Sequence, residues 1–292
     1  MEMKEMLHFI QTAMPHLNIQ QLDEKKTGWD NDVIVVNNQL VFRFPKIEKV
    51  AERVEIETRL LHDLRKQTAL NLKVPQPTLL NDGKQQLICS CYDLIEGDAA
   101  IGSREVLSED NARLLGEFLT QLHGMPVPDY LPMRHTQLFW EKLYRDIDQL
   151  IFPHFSTEER LDIQSTFADF FAASSEANTR TVIHGDLTAS NLLFDAENKR
   201  INGVIDFADA QIGDPAFDFA GIYWDYGPTF TQMVLEHYNG SADKESIWQL
   251  VKKFYGLQPV FHELLRTVKN NETVQWNHAL DKFKKLKSGK ST

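Results

Sequence analysis

The hydrophobic pattern of this chain changes period partway along and later, for one short stretch, changes back. Up to about residue 95, β-rich runs alternate with turn residues around a single helical segment. From Ser108 onward apolar residues recur at helical spacing, but between 181 and 207 the strand pattern returns as two short runs. A helical bundle does not need that late return. The order predicts an α+β architecture: a small antiparallel sheet with one main helix, a linker, and a larger, mostly helical part containing a β-hairpin.

The local signals are specific. Val33–Val36 and Leu40–Phe44 are β-rich runs separated by Asn37-Asn38-Gln39, and Pro45 stops the second. Residues 48–66 place Ile56, Leu60, Leu61 and Leu64 on one helical face. Val74-Pro75-Gln76-Pro77 must be extended, and Asn81-Asp82-Gly83 turns the chain between strands near 78–80 and 86–95. Glu96-Gly97-Asp98 is the expected boundary, giving lobes at 1–95 and 96–292. Ser108 and Gly124 bracket one helix, a second spans about 137–151, and Ser156–Glu159 has capping-box spacing for a third.

Charge and composition narrow the function. Net charge is -11, against a nucleic-acid binder and compatible with a cationic partner. No apolar run reaches the ~18 residues of a membrane helix. The N-terminal residues lack a signal-peptide pattern, so the expected location is the cytoplasm, as a monomer or weak dimer. The 2 cysteines, Cys89 and Cys91, fit no common zinc or redox spacing and are expected to be reduced, pointing to opposite faces of a strand.

Polar residues gather at the late hairpin. His184-Gly185-Asp186 is followed by Asn191 and then by Ile205-Asp206-Phe207, between apolar strands that pin the loop at both ends. Phosphoryl transfer to a hydroxyl needs a carboxylate that orients the attacking group and accepts its proton, and hard oxygen ligands for magnesium on the nucleotide phosphates. Asp186 suits the first task, Asn191 and Asp206 the second. The Asp-x4-Asn step is that of a protein-kinase catalytic loop, with Asp206 where an Asp-Phe-Gly aspartate would stand. His184 is read as a loop support. A metal hydrolase built on His184, Asp186 and Asp206 is disfavoured because no other histidine joins the cluster. Neither a Walker A motif nor Gly-x-Gly-x-x-Gly occurs.

With Gly28-Trp29-Asp30-Asn31, Val41–Pro45, Val74–Pro77 and Gly213-Asp214-Pro215 before Asp218, the segment 25–225 resembles the aminoglycoside phosphotransferase family. The resemblance implies a protein-kinase-like bilobal fold with a five-stranded N-lobe, and ATP or GTP with Mg2+ as cofactors. It also implies Asp218 as a buttress of the catalytic loop and the Gly28–Asn31 turn as the phosphate cover. By register Arg43 takes the place of the phosphate-binding lysine, with Lys46 as alternative, and Glu57 that of its helix partner. Tyr92, Asp93 and Ile95 mark the base-binding hinge. The implied acceptor is a small hydroxyl compound, foremost a cationic aminoglycoside, with Trp224, Asp225 and Glu236, and also Tyr226, Glu263 and Trp276, as candidate contacts. The alternatives are a macrolide or metabolite (choline, homoserine or sugar) kinase of the same fold, and an inactive nucleotide-binding regulator.

Overall fold

The computed structural model describes residues 1–25, 30–67, 69–84, 86–173 and 180–289. It opens with a helix, α1 (Met3–Ala13), which the sequence analysis did not anticipate. Glu2 and Glu5 form a capping box at its start, and Met6 and Ile10, four apart, bury one face.

A 5-stranded antiparallel sheet follows, in the order β1-β2-β3-β5-β4. Its strands are β1 (Leu22–Lys25), β2 (Asn31–Val36), β3 (Leu40–Pro45), β4 (Thr78–Asn81) and β5 (Leu87–Asp93), with the helix α2 (Glu48–Gln67) inserted after β3. Asn37 and Asn38 both take positive φ (55° and 52°), the two-residue turn whose twist suits a tight hairpin between β2 and β3. Cys89 and Cys91 are both buried, free, and in one cluster with Ile34, Phe42 and Phe44. The expectation of opposite faces fails because a strand repeats every two residues, so positions i and i+2 share a face.

After Gly97 (φ 126°) the chain makes a two-residue strand, β6 (Asp98–Ala99), and then three helices. These are α3 (Glu109–His123), α4 (Gln137–Leu150) and α5 (Thr157–Ala173). Ser108 caps α3 by accepting from Asn111 N at 3.3 Å, and Glu159 reaches back to Ser156 N at 3.0 Å. The late β segment is larger than a hairpin. β8 (Leu192–Asp195) pairs with β9 (Arg200–Val204) as expected, but β6 adds on the free edge of β8. Preceding them, β7 (Thr181–Ile183) pairs with β10 (Gln211–Gly213). The chain ends with α6 (Asp218–His237), α7 (Lys244–Leu250), α8 (Pro259–Lys269) and α9 (Trp276–Lys287). Gly227 (φ 80°) ahead of Pro228 kinks α6.

The two β pairs set the loop's position. The polar run 184–191 leaves β7 and enters β8, while 205–210 leaves β9 and enters β10. One continuous apolar core, including Val182, Leu187, Leu192, Val204, Phe207 and Phe219, lies beneath both connections. No helix among the described residues is long and apolar enough to cross a membrane.

Candidate active site

Two buried carboxylates hold the polar loops. Asp218, 1% exposed at the start of α6, accepts from His184 N at 2.7 Å, Gly185 N at 2.9 Å and His123 Nε2 at 3.1 Å. Burial alone would raise its carboxyl; the His123 bond and charge, with the backbone donors, outweigh this and hold it below the ordinary range. The His184 ring ties the two connections together, with Nε2 3.1 Å from the Ile205 carbonyl oxygen and Nδ1 3.3 Å from Asp186 N. The tautomer protonated at Nε2 satisfies both contacts. Gly185 (φ 81°) lies where a Cβ would strike the Asp209 carbonyl oxygen, so the turn requires glycine.

Glu57, on α2 and 2% exposed, is the second anchor. Arg43 Nη1 donates to Glu57 Oε1 and Oε2 at 2.9 and 3.0 Å, and Arg43 Nη2 to Asp206 Oδ1 at 3.2 Å. Glu57 also accepts from Phe207 N at 3.1 Å. The register reasoning therefore brings Arg43, Glu57 and Asp206 together, although the guanidinium here faces carboxylates. Asp206 has left-handed backbone angles (φ 64°, ψ 68°), and its side chain keeps 49% of its surface open. Lys46, the alternative cation, stands 3.6 Å from Asp32.

Asn191 Nδ2 donates to the Asp186 carbonyl oxygen at 2.8 Å and to Asp186 Oδ2 at 2.9 Å. Those bonds leave the Asn191 Oδ1 without a hydrogen bond among the described residues. Ile205 N donates to the Asn191 carbonyl at 2.9 Å, which sets Asn191 beside the Asp206 loop. An amide oxygen next to an open carboxylate fits magnesium, which takes one or two protein oxygens and fills its shell with phosphate and water. Asp186 opens to solvent on one side, while its surroundings raise its carboxyl to about 6, burial first among the causes. The open side lets water offset part of that rise.

Asp186 stands in a cleft of about 700 Å³ bounded by α4, α6 and α8. Trp224, Asp225 and Glu263 line it; Glu236 and Trp276 do not. Glu236 lies beyond the Gly227 kink on the exposed side of α6, its carbonyl bonded to Lys244, and Trp276 stacks on His154 at 4.1 Å. Arg134, His135, Asp209 and Gln258, not singled out in the sequence, also line the cleft. Asp209, three residues after Asp206 in a polar turn, carried a signal; Arg134 and Gln258 come from helix-flanking segments whose place depends on tertiary packing.

The hinge residues divide. Tyr92 lies beside Arg43, and burial raises its hydroxyl to about 12. Asp93 and Ile95 line a separate cavity of about 580 Å³, with Arg65, residues 69–74 and Gln76. Leu94 N already donates to the Gln39 carbonyl at 2.7 Å. Of the expected phosphate cover, Gly28 and Trp29 lie outside the described residues, and Asn31 starts β2.

A family model described as "Phosphotransferase enzyme family" matches residues 25–249. The uncharacterised protein YcbJ of Bacillus subtilis (strain 168) is 23% identical over 261 residues, covering 80% of this chain and 78% of that protein. Among solved structures, the GDP complex of wild-type aminoglycoside 2'-phosphotransferase-IIIa superposes with a TM-score of 0.81 at 22% identity, over 99% of both chains. Macrolide 2'-phosphotransferase MphH from Brachybacterium faecium, as apoenzyme, gives a TM-score of 0.71 at 19% identity, over 96% of this chain and 98% of that one. These similarities support the α+β, kinase-like fold expected from the sequence.

Proposed function

The chain belongs to the phosphotransferase enzyme family, and from that premise we propose that it moves the γ-phosphoryl group of ATP or GTP to a hydroxyl of a small molecule bound beside Asp186. Asp186 orients the acceptor hydroxyl and takes its proton as the oxygen–phosphorus bond forms; the nucleoside diphosphate leaves with the displaced electron pair. Asn191 holds the Asp186 carboxylate by the bond at 2.9 Å, so the base is set before substrate arrives. Magnesium held by Asn191 and Asp206 would neutralise charge on the phosphates. Arg43, kept in place by Glu57, lies next to that position and supplies the cation of the sheet, with residues 1–95 serving the nucleotide and 96–292 the acceptor. His184 and Asp218 touch no reacting atom and position the loop.

The observation that carries the proposal is Asp186 standing in the cleft, held by Asn191, with the Arg43–Glu57–Asp206 group on the neighbouring connection. One of the similar structures is a GDP complex, which supports a nucleotide as the phosphoryl donor. All the groups that the chemistry requires are intact, which favours an enzyme over an inactive regulator. The test is transfer of label from γ-labelled ATP and GTP, with magnesium, to a panel of aminoglycosides, macrolides, sugars and small alcohols. Transfer to a panel member supports the reading. An Asp186→Ala protein that transfers at the wild-type rate would sink the mechanism.

A further inference from the structure

A cation stands against Trp224, one of the residues that line the cleft. The Lys282 ammonium, on α9, lies 3.2 Å from the centre of the Trp224 ring. Trp224 Nε1 donates to Glu263 Oε1 at 3.2 Å, and Glu263 and Asp225 are the carboxylates acting on Lys282. Asp225 Oδ2 also accepts from Ala189 N at 2.6 Å, within the loop that carries Asp186. An aromatic face flanked by two carboxylates is what a substrate ammonium would seek. Here a protein side chain already fills that position. Elsewhere on the lining Arg134 Nη1 pairs with Asp209 Oδ1 at 2.7 Å, and Arg266 adds a further positive charge. Asp209, Asp225 and Glu263 are thus matched internally, which leaves Asp186 as the carboxylate facing the acceptor, despite the net charge of -11 on the whole chain.

Neutral groups are also available for recognition. Gln258 is 4% exposed, lines the cleft, and its Oε1 has no hydrogen-bond partner among the described residues. A buried carbonyl oxygen in that state favours a donor arriving with a ligand. Beside it, His262 stacks on Phe139 (6.1 Å, 22°), and Phe217 presents a further ring. Flat faces of this kind receive the C–H side of a sugar-like ring while its hydroxyls reach polar groups.

We propose that Lys282, set against the cleft residue Trp224, determines acceptor specificity by holding the ammonium position on that ring, so that the acceptor is an uncharged polyhydroxylated ring compound rather than a polycation. Gln258 accepts a hydrogen bond from one of its hydroxyls. This rests on the kinase reading of the cleft and narrows its acceptor class. It also turns the aminoglycoside expectation from the sequence toward the sugar-kinase alternative.

The experiment pairs transfer with binding. Phosphorylation of an uncharged cyclitol is compared with that of the matching aminocyclitol, and kanamycin binding is measured by calorimetry without nucleotide, for the wild type, Lys282→Met and Lys282→Arg. The wild type is expected to favour the uncharged acceptor, and Lys282→Met to bind kanamycin about tenfold or more tighter than the wild type, with Lys282→Arg unchanged. Gln258→Leu should raise the KM for the uncharged acceptor without changing kanamycin binding. If Lys282→Met does not fold, Lys282→Gln carries the same comparison. Equal kanamycin affinity in wild type and the neutral variant, whether tight or absent, overturns the role of Lys282. No transfer to any acceptor would instead count against the kinase reading, while the calorimetry, which needs no turnover, still decides the question of Lys282.

Discussion

Replacing Asp218 should separate the support of the catalytic loop from its chemistry. The carboxylate is buried and accepts from two backbone N–H groups and one imidazole, at 2.7, 2.9 and 3.1 Å. In Asp218→Ala all three donors lose their acceptor, and each buried donor left unpaired costs ~1–3 kcal/mol, less the relief of burying no charge, for a net loss of about 3–5 kcal/mol. In Asp218→Asn the amide oxygen can stand at the Oδ2 position and keep His184 N and His123. The amide nitrogen then faces Gly185 N, a single donor–donor conflict, for a loss of about 2 kcal/mol. The assay is urea unfolding, with the midpoints compared at constant slope. The pH dependence adds an independent check. Because the folded carboxyl lies below its ordinary range, its stabilisation is fully present above the unfolded value of about 3.9 and is lost as pH falls through the lower folded value. The deficit of Asp218→Asn should therefore be constant from neutral pH down to about 5 and narrow only in stronger acid. A loss under about 0.5 kcal/mol for either variant, or a larger loss for Asn than for Ala, would refute the hydrogen-bond count.

Gly221 on α6 faces the loop so closely that a Cβ would collide with the Leu187 carbonyl oxygen. Gly221→Ala should lower the melting temperature and the turnover together, whereas an unobstructed helix glycine changed to alanine would gain about 1 kcal/mol; a rise in melting temperature would contradict the contact. Arg43→Met leaves Glu57 buried without its cation and should cost about 3–5 kcal/mol in chemical unfolding, while Arg43→Met with Glu57→Leu should recover much of that stability but no activity. An inactive double variant as unstable as the single would argue against a coupled pair. Asn191→Ala removes the donors that hold Asp186 and should raise the magnesium needed for half-maximal rate while lowering the rate itself; an unchanged magnesium titration would remove Asn191 from the metal site.

The polar loops were legible as a candidate site because Asp186, Asn191 and Asp206 break the apolar pattern of the strands around them. The helices from Ser108 and Ser156 were legible through their caps. The β6 and β10 strands, two and three residues long, carry no local pattern and exist only because a partner strand lies alongside. The α1 helix had its signal in Glu2, Glu5, Met6 and Ile10, in a stretch read only for its lack of a targeting pattern. Glu236 was named for its charge, yet the Gly227–Pro228 kink sends it away from the cleft. The self-matched charges around Trp224 were beyond reach of sequence, since Lys282 and Asp225 come from different helices and meet only through the packing of α6, α8 and α9.

The two anchors act from opposite sides of the same pair of connections. Glu57 joins the α2 helix and the β3 cation to the backbone at Phe207, and Asp218 joins α6 and, through His123, α3 to the backbone at His184 and Gly185. His184 then bridges the first connection to the second at Ile205. A displacement of either loop would break charged hydrogen bonds in a buried place, so both loops resist movement strongly. Asp186 and Asp206, whose carboxylates are open to solvent, are the groups left facing outward from this frame. A nucleotide arriving from the sheet side and an acceptor arriving from the cleft would thus meet carboxylates whose positions are already fixed, so that little reorganisation remains for the transfer step. It follows that damage to the frame, as in Asp218→Asn, should depress turnover more than it raises the KM of either substrate.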